Sequence, residues 1–400
     1  MSLTLTRRHN VDRFGYLIPT KYGNVPMMGA VATYRPGEGR FGGAVAVEEG
    51  TTNCIVSRDF EAWASYVTGN ATGTVEFRQD PIYGKVVKLK KTDGGSGRFG
   101  LRGTLSGLSG SLYTQSVYVR ALSGTGCIAC VYVDAAKTGG GFIISSTYRN
   151  LSDLPLGQWV RIVATKDGSP DTLAGGGFVY IWVDTDNGEC EFAYPQVEAK
   201  PFATSFVDGT RATGGLEYPG SVLPLDEATL ICWVKAHEGS TDQRRDFWAI
   251  NNSVSSDDRL ILSRNITGSG WGFHFRLAGG SQFELRHNVP LDFGWHMIGF
   301  RYRYNASSDR YDLALIFDGD IVATGTSANA GILKNIYRLY SDGNHYAANC
   351  LIDELLILPY AASEEEIVSW YEAQGPLSPH PQASLQWDRQ TVRPAQMVKL

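Results

Sequence analysis

Ser116-Val117-Tyr118-Val119-Arg120-Ala121 decides the reading of the fold, because a stretch of the same kind returns as Ile231-Cys232-Trp233-Val234-Lys235-Ala236. Downstream of each comes a Pro-Leu, a short gap and a tryptophan that opens an apolar run. The first is Pro155-Leu156-Gly157-Gln158-Trp159-Val160-Arg161-Ile162-Val163, the second Pro290-Leu291-Asp292-Phe293-Gly294-Trp295-His296-Met297-Ile298. Each copy then gives a strand ending in an acidic turn: Phe178-Val179-Tyr180-Ile181-Trp182-Val183-Asp184 and Leu313-Ala314-Leu315-Ile316-Phe317-Asp318-Gly319. Runs rich in β-branched and aromatic residues are strand formers. Two copies of one β-unit in the same order predict two similar all-β domains in tandem.

The pattern extends on both sides. Lys85 to Leu89, Gln115 to Arg120, Ile128 to Val133, Trp159 to Ala164 and Phe178 to Val183 read as strands, separated by glycine-rich breaks such as Asp93-Gly94-Gly95-Ser96-Gly97. A second set runs through Thr229 to Val234, Trp271 to Leu277, Phe283 to Arg286, Trp295 to Tyr304, Tyr311 to Phe317 and Leu351 to Leu358. Short strands at such spacing predict sandwiches or jelly rolls. The expected architecture is all-β: two tandem jelly-roll β-sandwiches with extended N- and C-terminal arms. Its expected divisions are an N-terminal arm over 1–49, a first domain over 50–208, a polar linker over 209–215, a second domain over 216–374 and an extension over 375–400. One helix is predicted, from Ser363 to Ala373. Ser363 is a suitable N-cap, Glu366 completes a capping box, and Gly375-Pro376 stops it.

The chain has 400 residues, room for two or three domains. Hydrophobic residues make up 43%, ample for packed cores, and the 46 glycines lack the period of a collagen. The net charge of −5 gives no electrostatic footprint for nucleic acid. No apolar run is long enough to cross a bilayer, so membrane insertion is not expected. The N-terminus lacks the apolar stretch of a signal peptide. The six cysteines are scattered and read as reduced, mostly buried thiols.

Cys350-Leu351-Ile352-Asp353-Glu354-Leu355-Leu356-Ile357-Leu358-Pro359-Tyr360, with the helix that follows, resembles the closing strand and helix of laminin-G-like, concanavalin A-type jelly rolls. The likeness covers about residues 216–374. Ala362-Ser363 stands where that family has Leu-Ser. Phe41 to Asn53 and Tyr194 to Phe206 resemble the lead-in and last strand of the carbohydrate-binding-module-like jelly rolls found in phage tail and virion proteins. In the second stretch Gln196-Val197-Glu198 and Ala203-Thr204-Ser205 carry the likeness. These resemblances imply a non-enzymatic phage virion structural protein, a tail or capsid-surface component with a role in host attachment through glycans. The implied partners are other virion proteins, copies of the chain itself and a host-surface polysaccharide. A virion location, reached from the host cytoplasm by lysis, also reconciles an adhesive β-protein with the lack of an export signal and a disulfide framework. A free carbohydrate-binding or adhesion protein is the alternative, and a polysaccharide-degrading enzyme the second.

Candidate sites follow from strand periodicity. His274 and Arg276 share the polar face of one strand, as Glu284 and Arg286 do in the next, and could contact a sugar or a neighbouring subunit. Trp63, Tyr66 and Tyr83 lie near the opening loops of the first domain and could form a stacking platform. Asp184-Thr185-Asp186-Asn187-Gly188 resembles the start of a calcium loop, with Asp184 and Asp186 as ligands, but the full loop is absent and the stretch reads first as an ordinary hairpin turn. No other cofactor is expected. Cys127-Ile128-Ala129-Cys130 has no second ligand pair to support zinc. Sandwich glycosidases of the resembled type carry a Glu-x-Asp-x-x-Glu strand. No such spacing occurs, and the adjacent Asp353 and Glu354 should point to opposite faces of their strand.

Overall fold

The computed structural model describes residues 33–92, 97–123, 128–184, 187–211, 215–219, 227–237, 245–251, 259–264, 272–278, 283–289, 293–327, 338–342 and 349–373, with a few short pieces elsewhere. In chain order the strands longer than two residues begin with a hairpin, β1 (Thr33–Gly39) and β2 (Gly42–Val47). Ten follow: β3 (Ala64–Val67), β4 (Gly73–Asp80), β5 (Gly84–Lys91), β6 (Phe99–Leu108), β7 (Leu112–Ser123), β8 (Ile128–Lys137), β9 (Phe142–Asn150), β10 (Trp159–Asp167), β11 (Leu173–Val183) and β12 (Glu189–Glu198). Then come β13 (Gly215–Pro219), β14 (Glu227–Ala236), β15 (Arg245–Asn251), β16 (Arg259–Arg264), β17 (Gly272–Ala278) and β18 (Phe283–Asn288). The last are β19 (Trp295–Asn305), β20 (Arg310–Phe317), β21 (Asp320–Ser327), β22 (Arg338–Asp342) and β23 (Cys350–Leu358), before helix α1 (Glu364–Glu372).

The fold is all-β, built of jelly-roll sandwiches. The chain divides into two units, one of residues 51–211 and one of residues 1–50 with 212–400. The first is therefore inserted within the second. Its two ends are drawn together where Thr51 and Thr52 pair with Arg211 and Thr210.

The inserted sandwich has two five-stranded sheets. One runs β10-β7-β12-β5-β4 and the other β9-β8-β11-β6-β3. Between them lies a core that includes Val87, Leu89, Leu101, Val117, Val133, Ile181 and Phe192. Alternation along each strand produces this core: Val179, Ile181 and Val183 of β11 join it. The Gln196-x-Glu198 and Ala203-Thr204-Ser205 stretches form a polar lock. Glu198 is fully buried. Its Oε1 accepts from Gln196 Nε2 at 2.8 Å and from the Thr204 backbone N–H at 2.8 Å. Its Oε2 accepts from the hydroxyls of Thr51 at 2.6 Å and Thr204 at 2.8 Å. The carboxylate thus pins the chain that leaves β12.

The discontinuous sandwich pairs a sheet β13-β22-β15-β16-β17-β18 with a longer one, β21-β20-β19-β14-β23-β2-β1. Gln396–Met397 also pairs with β23. The hairpin β1–β2 belongs to this sheet, since Val47, Ala46 and Val45 pair with Cys350, Leu351 and Ile352. Residues 33–47, expected in an N-terminal arm and in part as a lead-in to the first domain, are thus strands of the second sandwich. The apolar pattern Gly43-Ala44-Val45-Ala46-Val47 explains why: Ala44, Ala46 and Val47 are buried. Helix α1 forms as its sequence predicts, with Ser363 Oγ accepting from the Glu366 N–H and the Glu366 carboxylate from the Ser363 N–H. Ile367 and Trp370 pack on Ile231, Trp233 and Leu356.

The repeat is real in two of its three parts. Arg120 sits opposite Trp159 and Lys235 opposite Trp295. On the other side of the same strands, Ala121 sits opposite Cys190 and Ala236 opposite Cys350. The third part diverges. Phe178–Val183 lies in the facing sheet between β8 and β6, whereas Leu313–Phe317 pairs with β19 in the same sheet. Cys54, Cys190, Cys232 and Cys350 are all buried.

Candidate functional site: an aromatic sheet face

The register of the β9-β8-β11-β6-β3 sheet fixes what its outer face presents. One row runs Tyr148, Cys130, Trp182, Gly100 and Tyr66 across the five strands. The next runs Ser146, Tyr132, Tyr180, Arg102 and Ala64. A third has Ile144, Asp134, Phe178 and Thr104. Cross-strand neighbours lie close enough to touch, and these do. Tyr66 meets Tyr180 at 4.7 Å and Trp182 at 5.7 Å between ring centroids. Tyr132 meets Tyr180 at 5.4 Å and Trp182 at 5.3 Å. Tyr148, 42% exposed, lies 6.4 Å from Trp182.

Gly100 allows this packing. A Cβ there would stand 2.7 Å from Trp182 Cα and clash with the Ile181 carbonyl. Trp182 is the floor of the face. It is fully buried, and its indole N–H has no acceptor among the described residues.

Polar groups are few and asymmetrically used. Asp134 accepts from Tyr180 at 3.1 Å and is bonded by Tyr132. Burial, then the Asp134 charge, pushes the Tyr180 hydroxyl up to about 12, and burial with the bond to Asp134 pushes Tyr132 up as well. Both phenols therefore stay protonated donors to Asp134. Arg98 lies over Trp182 at 4.5 Å and faces Asp184 at 4.0 Å. Arg102 is exposed and lies over Phe178 at 4.7 Å. Among the described residues it forms no ion pair.

The opposite outer face, on the β10-β7-β12-β5-β4 sheet, is chemically closed. Arg120 bonds Glu191 through Nε at 2.6 Å, reaches Asp80 at 3.3 Å and lies over Trp159 at 4.6 Å. Arg78 also pairs with Glu191, and Lys88 with Glu189. Part of this face is covered by the chain after β12: Thr114 donates to the Lys200 carbonyl at 2.7 Å, and Phe206 stacks on Tyr194 at 4.4 Å.

The sequence-predicted residues scatter across these surfaces. Tyr66 belongs to the open face. Trp63 does not: it is a core residue, bonded through its indole N–H to the Ser57 carbonyl at 2.8 Å. Tyr83 is buried on the opposite sheet among Tyr118, Trp159 and Tyr194. Proximity in sequence to the opening loops could not separate two sheets and a core. The three therefore form no single platform.

In the discontinuous sandwich the register sets His274 opposite Arg286 and Arg276 opposite Glu284. Arg286 pairs with Glu284 at 2.5 Å. The side chains of His274 and Arg276 lie outside the described residues. Asp184 has Arg98 as its neighbour, while Asp186 lies outside the described residues; among those described, no three metal-ligating groups cluster. Asn187 has φ 57°, as a hairpin turn requires.

Asp353 and Glu354 are both buried, and the alternation from which opposite faces were expected breaks across them: Ile352 and Leu355, three residues apart, face the same core. A bulge explains it: the register with β14 shifts there and Glu354 adopts φ 52°. Asp353 accepts from the Phe41 N–H at 3.1 Å and so holds the β1–β2 turn. A cavity of about 510 Å³ beside Ser363 is lined by Arg301, Arg303, Asp312 and Thr326. Its charges are spent locally, Arg303 on Glu227 at 3.0 Å and Arg301 on the Ala362 carbonyl.

No family model matches the chain, and no curated protein does. Solved structures give partial likenesses. One is the enzymatically active domain of tailspike protein 4 of Bacteriophage CBA120, 16% identical, TM-score 0.29, covering 36% of this chain and 21% of that one. Another is the family 11 carbohydrate-binding module of Clostridium thermocellum in complex with a β-1,3-1,4-mixed-linked tetrasaccharide, 14% identical, TM-score 0.26, covering 38% and 95%. A third is the tandem CBM22-1–CBM22-2 domain of Xyn10C from Paenibacillus barcinonensis, 10% identical, TM-score 0.26, covering 77% and 99%. Likeness this slight says nothing of ligand or activity.

Proposed function

We propose that this chain is a non-enzymatic glycan-binding protein, displayed on a phage virion as a tail or capsid-surface component. The observation that supports the binding reading is the outer face of the β9-β8-β11-β6-β3 sheet. Sugar rings have an apolar C–H face and a polar rim. A surface that suits them offers flat rings with a few fixed polar groups. Tyr148, Tyr66, Tyr132 and Phe178 supply the rings at the solvent boundary, and Arg102 and Arg98 the polar groups. Strands about 4.8 Å apart put the ends of the Tyr148–Tyr66 row about 19 Å apart. That suits a chain of several sugars better than a monosaccharide.

The non-enzymatic part rests on how buried carboxylates are used. Glu198 holds four hydrogen bonds and Asp353 caps a turn. Glu191 is ion-paired to two arginines. A general acid needs a reachable carboxyl in a cleft. The virion part rests on the resemblance in Tyr194 to Phe206. Its partners would be other virion proteins, copies of the chain and a host-surface polysaccharide.

The test is a glycan array with wild type, Tyr148→Ala, Tyr66→Ala and, on the closed face, Lys88→Ala. Each open-face variant should lose roughly two- to ten-fold in affinity, the range of one aromatic contact. Lys88→Ala should bind as wild type. Equal losses in all three, or binding by none of the four, would refute the reading. Release of reducing ends from any bound polymer would refute the non-enzymatic part. Mass spectrometry of purified particles tests the virion location.

A further inference from the structure

We propose that the glycan taken by this face carries a carboxylate, as uronic and sialic acids do, and that Arg102 selects it. The inference rests on the glycan reading above. A face built for neutral sugars needs free acceptors for hydroxyl protons. Here the carboxylates, the strongest acceptors of the face, are already engaged by the protein. Asp134 accepts from Tyr180 at 3.1 Å and bonds Tyr132, and Asp184 faces Arg98 at 4.0 Å.

The uncommitted group is a cation. Arg102 is exposed, lies over Phe178 at 4.7 Å, and forms no ion pair among the described residues. Its cross-strand neighbours are Tyr180 on one side and Ala64 on the other. Ala64 is exposed and small, so the space beside the guanidinium on the edge strand is open. A guanidinium fork matches a carboxylate with two parallel hydrogen bonds, and stacking on a ring limits the freedom it loses on binding. The protein as a whole carries −5, so a general attraction for polyanions does not supply the preference; it has to be local.

The experiment measures binding of the full chain to three polymers: polygalacturonate, polysialic acid, and polygalacturonate whose carboxyls have been reduced to alcohols. At least one acidic polymer should bind roughly ten-fold or more tightly than the reduced one, the scale of a charge-assisted pair. Arg102→Gln should abolish that difference, and Arg102→Lys should restore part of it, having charge without the fork. Which acidic polymer binds separates a uronate from a sialate. Thermal unfolding of both variants at the wild-type midpoint shows that the fold is intact. If wild type binds acidic and reduced polymers equally, or Arg102→Gln leaves their ratio unchanged while Tyr148→Ala still weakens binding, the acid preference is overturned and the glycan face stands. If no polymer binds, the acid preference is overturned and the glycan array decides the glycan reading; if Tyr148→Ala changes nothing, the glycan face falls and this inference with it.

Discussion

Replacing Glu198 by alanine should loosen the end of the inserted sandwich without touching the other unit. The carboxylate is fully buried and accepts four hydrogen bonds. Its donors fare differently when it goes. Gln196 Nε2 keeps the Thr204 carbonyl at 3.2 Å and the Ser205 carbonyl at 3.3 Å. The Thr51 and Thr204 hydroxyls can turn. The Thr204 backbone N–H loses its acceptor. Each charge-assisted bond is worth about 1.5–3 kcal/mol, but the four are not additive. Removing the charge also removes its desolvation penalty, several kcal/mol. The balance is a net loss of about 3 kcal/mol. Glu198→Gln keeps an acceptor oxygen and offers an NH2 to hydroxyls that can accept, so it should cost about 1 kcal/mol. With a urea slope near 2 kcal/mol per molar, alanine lowers the midpoint by roughly 1.5 M. Hydrogen exchange should locate the effect, with lost protection over 196–207 and none lost over 350–372. An alanine variant within about 0.3 M of wild type, with protection over 196–207 intact, would refute the lock.

Four further outcomes follow from the same geometry. Gly100→Ala should cost about 1–3 kcal/mol in thermal unfolding and also weaken polymer binding, because its Cβ displaces Trp182. Ser363→Ala should cost about 1 kcal/mol through loss of the capping box, seen as a lower thermal midpoint, and Ser363→Asp should recover most of it. The Lys88 hydrogen bond holds the Glu189 carboxyl below its ordinary range, so this group's stabilisation is present above about pH 4.3 and is lost as pH falls through the depressed value. Glu189→Gln should therefore flatten the acid limb of a stability–pH curve, and an unchanged limb would count against it. Deleting residues 1–49 should destabilise the discontinuous sandwich, because it strips β1 and β2 from the β23 edge and Val47 from the core, whereas deletion of 1–32 leaves those strands in place; equal urea midpoints for the two truncations would contradict this.

Much of the fold was legible because its signals are local. Strand periodicity located the tryptophan-led strands and their partners, and even the equivalent pairs Arg120–Trp159 and Lys235–Trp295. The capping box announced α1. What was not legible is long-range. That Ala44 to Val47 pair with Cys350 to Ile352 joins segments some three hundred residues apart, and no local rule links them. The bulge at Glu354 defeated the alternation argument for Asp353 and Glu354 because one inserted residue shifts the phase. The open face was half visible. Phe178, Tyr180 and Trp182 alternate with Val179, Ile181 and Val183, so β11 is apolar on both sides, and aromatic residues on a strand's solvent side were the available signal. Assigning which side was solvent required the sheet order.

The two outer faces of the inserted sandwich argue the functional case by contrast. Both carry aromatic rings and arginines, so composition alone does not separate them. On the β10-β7-β12-β5-β4 side each arginine has its carboxylate or carbonyl: Arg120 with Glu191 and Asp80, Arg78 with Glu191, Arg161 with the Thr204 carbonyl. There the rings of Tyr83 and Tyr118 are buried and Tyr194 is capped by Phe206. That face has spent its polar groups on the protein's own stability. On the β9-β8-β11-β6-β3 side the chain leaves Arg102 without an ion pair among the described residues, and Phe142, Ile144 and Tyr148 at 42–49% exposure along an edge strand. Exposed apolar residues on an edge strand carry an aggregation risk, since such a strand is a template for pairing. Exposed rings and an uncommitted cation on one sheet face are what a binding surface needs and what a purely structural face avoids.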